Sequence, residues 1–300
     1  MSESIPLASP ALDRREHELV AEVLGSGRLA LGPMIERFES GLAAAVDAPY
    51  AVAVSNGTAG LHLAVRMAEI GEGDEVITSP FSFVASANCA LYEGARPVFV
   101  DIDPDTFNLD VDAVEAAITP RTRALLPIDI FGYPVELDPL KEIASKYGLA
   151  LIQDACEALG ARYRGRAVGS FGHPTVFAFY PNKQITTGEG GAIVVNTETE
   201  YRLAKSLSNQ GRADSGGWLE HARLGFNYRM SELTAAVGVG QLEKLGEILS
   251  ARASAANHYS ELLAGRPQIE TPHPDDPDHT RSWFVYVVKL ASDVDRERVI

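Results

Sequence analysis

Short apolar runs alternate along the chain with longer stretches whose apolar residues recur at helical spacing. The runs predict strands at Tyr50–Val54, Glu75–Ser79, Arg96–Val100, Ala124–Ile128, Ala150–Asp154, Thr175–Phe179 and Gly191–Val195. Several are apolar on both faces, as in YAVAV, RPVFV and GAIVV, which is the pattern of strands covered by helices on both sides. Between them the periodicity predicts helices at Thr58–Ala68, Ala85–Tyr92, Asp112–Ile118 and Pro139–Tyr147. Alternation of this kind implies a mostly parallel α/β sheet, here of seven strands.

Ahead of the sheet, Arg14–Leu24 and Ile35–Val46 read as amphipathic helices separated by the turn GSGRLALGP. After it come a helix at Glu198–Asn209, a Gly-rich loop GRADSGGW, and a long helical stretch Ser231–Leu263 broken or bent near Gly246. Ser231 with Glu232 behind it makes a helix start. From about Pro267 a polar, Pro-containing loop, HPDDPDHT, leads into an apolar run, WFVYVVKL, read as a strand. The chain stops at DRERVI, the apparent opening of a further helix, so a longer parent protein is expected. The division expected is a large domain over residues 1–250, whose first 25 or so residues pack on a small domain, and the start of that smaller C-terminal α/β domain over 251–300.

The 300 residues are 46% hydrophobic and 22% charged, ordinary for a globular chain. A formal net charge of −15 disfavours nucleic acid and anionic membrane surfaces as general partners. The two cysteines, Cys89 and Cys156, fit neither a zinc spacing nor a disulfide framework, which suits a reducing cytoplasm. The N-terminus lacks a basic region followed by an apolar run, and no apolar stretch is long enough to span a bilayer.

Ligands of open parallel sheets gather beyond the carboxyl ends of the strands, and four segments put unusual residues there. In SNGT, Gly57 permits a tight turn and Thr58 stands at a helix start, where free N–H groups favour an anion; a plain strand–turn–helix capped by Thr58 is the simpler alternative. Phe83, after EVITS, could stack on a flat ring or fill the core. Asp154 ends an apolar run and needs a partner if buried, unless it only caps a helix; Glu157 would lie one helical turn further on, on the same side, or carry a surface charge. Lys183 precedes Gly188, Gly190 and Gly191 and stands among few charges; it is either an exposed loop lysine or a nucleophile. Singly each is weak. As a set, an anion seat, an aromatic plate, an acid and a lysine meet the needs of pyridoxal 5'-phosphate (PLP).

The order SNGT, TSPFSFVASAN, EGARPVFVDID, QDACEALGA, FYPNKQITTGEGG and LGFNYRMSEL resembles the DegT-type family of PLP-dependent nucleotide-sugar aminotransferases over nearly the whole chain. The resemblance implies the fold-type-I, aspartate aminotransferase-like fold and a homodimer. It implies that Lys183 carries the cofactor as a Schiff base and shuttles the proton, and that Asp154 pairs with the pyridine nitrogen. It gives Phe83 a stacking role, Gly57 and Thr58 the phosphate, and Glu157 the cofactor edge or the sugar. Asn227 would reach the phosphate of the neighbouring subunit, and Tyr228 and Arg229 would face the substrate. Two departures stand out: Ala178 occupies the position five before the lysine where many members carry a phosphate-binding Ser or Thr, and Glu157 replaces a frequent Gln. The branch with His in place of the lysine dehydrates sugars, so Lys183 favours transamination.

The cycle implied is ping-pong, from an amino donor, L-glutamate by resemblance, to a nucleotide-linked keto sugar, 4-keto in preference to 3-keto. The rivals are a PLP-binding regulator without turnover and another fold-type-I activity such as an amino-acid aminotransferase, which usually has a carboxylate-clamping Arg near its C-terminus.

Overall fold

A computed structural model describes residue 6, residues 8–213 and residues 220–299. Part of the Gly-rich segment expected at 211–218 therefore lies outside the described residues.

The seven expected strands form. Tyr50–Val54, Gly191–Val195, Thr175–Ala178 and Gln153–Asp154 are neighbours in that order, and Arg96–Phe99, Glu75–Thr78, Thr122–Leu125 and Ala150–Leu151 form a second row. Residues 150–154 join the two rows, because Ile152 N donates to Leu125 O at 3.0 Å and Asp154 N to Pro127 O at 2.9 Å. The sheet is parallel except at Gly191–Val195, which runs antiparallel to both neighbours. A strand apolar on both faces looks the same in either direction, so its sequence carries no sign of the reversal.

Alternate strand residues enter different cores, as the two-sided burial requires. Ala51, Ala53, Phe177 and Val194 pack with Leu19, Phe38 and Leu42 on one side. Val52, Val176, Ile193 and Val195 pack with Leu61, Val65 and Cys89 on the other. The first side is covered by helices Arg14–Ser26, Pro33–Ala45 and Glu232–Glu243. The second is covered by Gly57–Met67 and Ala85–Tyr92.

Buried Glu232 ties the first layer together. Its carboxylate accepts from Gly32 N at 2.9 Å, Met34 N at 2.9 Å and Ile35 N at 3.1 Å, satisfying the open N-terminus of helix Pro33–Ala45, whose own N-cap, Gly32, has no side chain to do so.

The long helical stretch breaks at Lys244, near Gly246 as expected, giving Glu232–Glu243 and Leu245–Leu263 with Ser231 as N-cap. Three expectations change. Of WFVYVVKL only Lys289–Leu290 is strand, paired with Ile269–Glu270; its aromatic residues stack instead, Trp283 on Tyr286 with ring centres 5.6 Å apart. The helix opening at DRERVI is a single 3-10 turn, Arg296–Arg298. No helix follows Asp154, where residues 156–160 form turns. Among the described residues no helix is long and apolar enough to cross a membrane.

Candidate active site

The carboxyl ends of Tyr50–Val54, Gln153–Asp154 and Thr175–Ala178 open into one cavity of about 820 Å³. Gly57, Thr58, Phe83, Asp154, Glu157 and Lys183 all line it, so six of the sequence-derived candidates meet in one place.

Helix Gly57–Met67 begins at the cavity. Its N-cap is Asn56, whose Oδ1 accepts from Ala59 N at 2.8 Å; Thr58 is therefore inside the helix and not its cap. The first-turn N–H groups of Gly57 and Thr58 have no intrahelical acceptor and are available to an anion. Space here is tight. A Cβ on Gly57 would come within 2.8 Å of Ala178 Cβ and 3.0 Å of Cys156 Sγ, and a Cβ on Gly191 within 2.5 Å of the Asn56 carbonyl. The small side chain at Ala178 is what lets the helix start approach the sheet so closely.

Asp154 is 5% exposed. One carboxylate oxygen accepts from Ser86 Oγ at 2.6 Å and the other from Cys156 N at 3.1 Å. Both donors are neutral, and among the described residues no cationic side chain forms an ion pair with it. A carboxylate buried on these terms is suited to a cationic guest, such as a protonated ring nitrogen. Burial, and then the charge of Asp154, push the neighbouring Cys156 thiol well above its ordinary value, so it stays a thiol.

Lys183 Nζ lies 3.3 Å from Glu157 Oε1 and 4.1 Å from the centre of the Phe284 ring. Glu157 Oε2 accepts from Phe131 N at 2.8 Å. Phe131 sits at φ 53°, a left-handed position that aims this N–H into the site. Burial pushes the Glu157 carboxyl up, against the pull of Lys183 and the Phe131 N–H. The Lys183 carbonyl accepts from Arg252 Nη2 at 2.9 Å, and the Gln184 amide bonds Glu157 O and Ser282, which fixes the lysine's backbone on both sides.

Phe83 is 71% exposed, its ring free at the mouth of the cavity, so it is no part of the core. Of the trio Asn227, Tyr228 and Arg229, only Tyr228 lines the cavity of its own chain. Asn227 forms a backbone bridge with Asn209. Arg229 does not line this chain's cavity and donates to Asn209 Oδ1 at 2.9 Å and Gln210 Oε1 at 2.8 Å. Sequence reasoning missed Ser86, Asn56, Tyr92 and Arg252. Ser86 meets Asp154 across 68 residues of chain, a separation that leaves no local pattern.

The donor set fits PLP: a helix start for a phosphate, an exposed aromatic ring for a flat ring, a buried acid for a basic nitrogen and an amine for an aldehyde.

The profile of the DegT/DnrJ/EryC1/StrS aminotransferase family matches residues 10–300. The chain is 40% identical over 296 residues to the GDP-perosamine synthase of Caulobacter vibrioides, covering 98% of this chain and 79% of that protein. It is 36% identical over 295 residues to the spore coat polysaccharide biosynthesis protein SpsC of Bacillus subtilis, covering 95% and 76%. Among solved structures, DesV of S. venezuelae, in complex with a ketimine intermediate, matches with a TM-score of 0.90 at 37% identity, over 98% of this chain and 80% of that one.

Proposed function

This chain belongs to the DegT/DnrJ/EryC1/StrS aminotransferase family, and we propose that it moves an amino group from L-glutamate to a nucleotide-linked keto sugar, with PLP held on Lys183. The enzyme is PLP-dependent. The resemblance favours carbon 4 of the sugar over carbon 3. The observation that carries the reading is the presence of Lys183 and Asp154 in one cavity with the start of helix Gly57–Met67.

When bound, PLP supplies a carbonyl that takes up the amino group and a ring that draws electrons from the carbon being deprotonated. Asp154 holds a proton on the ring nitrogen, and Ser86 and Cys156 N keep its carboxylate aimed. Gly57 and Thr58 bind the phosphate through the helix start, replacing the hydroxyl that Ala178 lacks. Phe83 stacks on the ring. Lys183 attaches the cofactor between turnovers and, once freed, moves the proton through Nζ at the reacting carbon. Glu157, 3.3 Å from Nζ, stabilises the freed amine as it gains that proton.

The protein is proposed to act as a homodimer, in which Asn227 reaches the phosphate of the partner subunit. The exposed Phe83, Val84, Leu91 and Tyr92, close in sequence beside the cavity, supply an apolar surface for that contact. Its two free cysteines suit a cytoplasmic location.

The test follows the two half-reactions. L-Glutamate added to the PLP-loaded protein is expected to bleach the cofactor's absorbance and release 2-oxoglutarate. A panel of nucleotide keto-sugars then identifies the acceptor by mass spectrometry. Absence of bleaching with glutamate, together with failure of every keto-sugar in the panel, would refute the reading.

A further inference from the structure

Behind the cavity wall, Tyr228, His62 and Glu93 form a chain of hydrogen bonds that the proposed chemistry does not use. His62 Nδ1 lies 2.9 Å from Tyr228 Oη, and Nε2 lies 2.8 Å from Glu93 Oε1. Arg66 Nη1 holds the other oxygen of Glu93 at 2.7 Å. His62 and Glu93 are buried, and Arg66 reaches the surface.

The distances alone do not place the protons; the neighbouring charges favour one arrangement. Glu93 is a carboxylate whose charge Arg66 already balances. It accepts from Nε2, so Nε2 carries the imidazole proton. Because Arg66 and not the ring balances Glu93, the favoured arrangement leaves only a lone pair at Nδ1, which receives the proton of Tyr228. Burial, and then Tyr92 and Glu93, push the phenol above its ordinary value, so it keeps a proton to give. Tyr228 has little freedom to turn elsewhere. Its N–H donates to Ser208 O at 2.9 Å, its carbonyl accepts from Ser55 N at 2.7 Å, and its ring stacks on Phe226 with centres 4.9 Å apart.

We infer that Glu93 and His62 are positioning residues that make the Tyr228 oxygen a hydrogen-bond acceptor toward the cavity, where it selects a substrate group that donates, a hydroxyl or an ammonium. With its own proton committed to His62, the oxygen offers the cavity lone pairs and nothing to give. It receives an O–H or N–H well and disfavours carboxylate or phosphate oxygen. This rests on the aminotransferase reading for its substrate and deepens it to one contact. The relay itself is a property of the folded chain and is measurable without turnover.

Nitrogen-15 spectra of histidine-labelled, PLP-loaded protein read the relay, with His62 assigned by its loss in His62→Gln. The expected result is a ring protonated at Nε2 and unprotonated at Nδ1, whose Nδ1 resonance moves toward that of a free imine nitrogen in Tyr228→Phe. A proton on Nδ1, or an Nδ1 resonance unmoved by Tyr228→Phe, overturns the inference. In the reverse direction, with GDP-perosamine as the amino donor, Tyr228→Phe is expected to raise KM about fivefold with kcat within twofold, the size of one lost hydrogen bond. His62→Gln, which keeps an acceptor for the phenol, is expected to retain more affinity than His62→Leu; equal losses in the two would contradict the inference. If the unaltered enzyme does not react with GDP-perosamine, that substrate is wrong for it, and the spectra still decide the relay.

Discussion

Asp129 lies fully buried one backbone hydrogen bond from the site, its N–H donating to Asp154 O at 3.0 Å. Its carboxylate accepts from Val135 N at 2.9 Å and from Gln153 Nε2 at 2.8 Å, and Gln153 Oε1 lies 3.0 Å from His173 Nε2. Burial pushes the Asp129 carboxyl from 3.8 up to about 7. Between these values the folded state holds a proton that the unfolded state has released. The associated stability is fully present below pH 3.8 and is lost as pH rises through about 7. The rise corresponds to about 4 kcal/mol, of which about 3 kcal/mol falls between pH 5 and pH 8. Asp129→Asn removes the titration and keeps the volume. Its Oδ1 still accepts from Val135 N, and its amide is accommodated if Gln153 flips and His173, held neutral by burial with its value lowered to about 4, changes tautomer. Urea unfolding of both proteins at pH 5 and pH 8 isolates the effect, because all other carboxylates are common to the pair. The unaltered protein is expected to lose about 3 kcal/mol more than the variant across that interval. Parallel pH dependences for the two proteins would refute the reasoning.

Gly57→Ala forces a Cβ to 2.8 Å from Ala178 Cβ at the proposed phosphate seat, so PLP affinity by absorbance titration is expected to fall at least about tenfold. Ser86→Ala deletes one of the two donors that aim Asp154; kcat for the glutamate half-reaction is expected to drop about tenfold, the size of a hydrogen bond to a charged group. Glu232→Ala leaves three buried N–H groups at the start of helix Pro33–Ala45 without an acceptor and is expected to cost about 3 kcal/mol in chemical denaturation.

The seven strands were legible because each is a short apolar run bounded by polar turns, and that pattern survives in any context. The run WFVYVVKL misled for the same reason. Trp283 and Tyr286 stack on each other instead of joining a ladder, and Phe284 lies against Lys183. Gly57, Thr58, Phe83, Asp154, Glu157 and Lys183 could be picked out because each stands at a strand end, where a parallel sheet collects its ligands. The groups that orient them were not readable. Glu157 was expected on a helix after Asp154; the chain turns instead, and a left-handed Phe131 supplies the bond that holds it. His62 looks like one more position in a buried helix until Tyr228 arrives from 166 residues away.

The central claim is that the amine of Lys183 holds the cofactor opposite the carboxylate of Asp154. Borohydride reduction of the PLP-loaded protein followed by peptide mass spectrometry tests it most directly. The account predicts a pyridoxyl group on Lys183 and on no other lysine, and no labelling of Lys183→Ala. Labelling at a different lysine, or a Lys183→Ala protein that is still labelled and still converts glutamate, would contradict it.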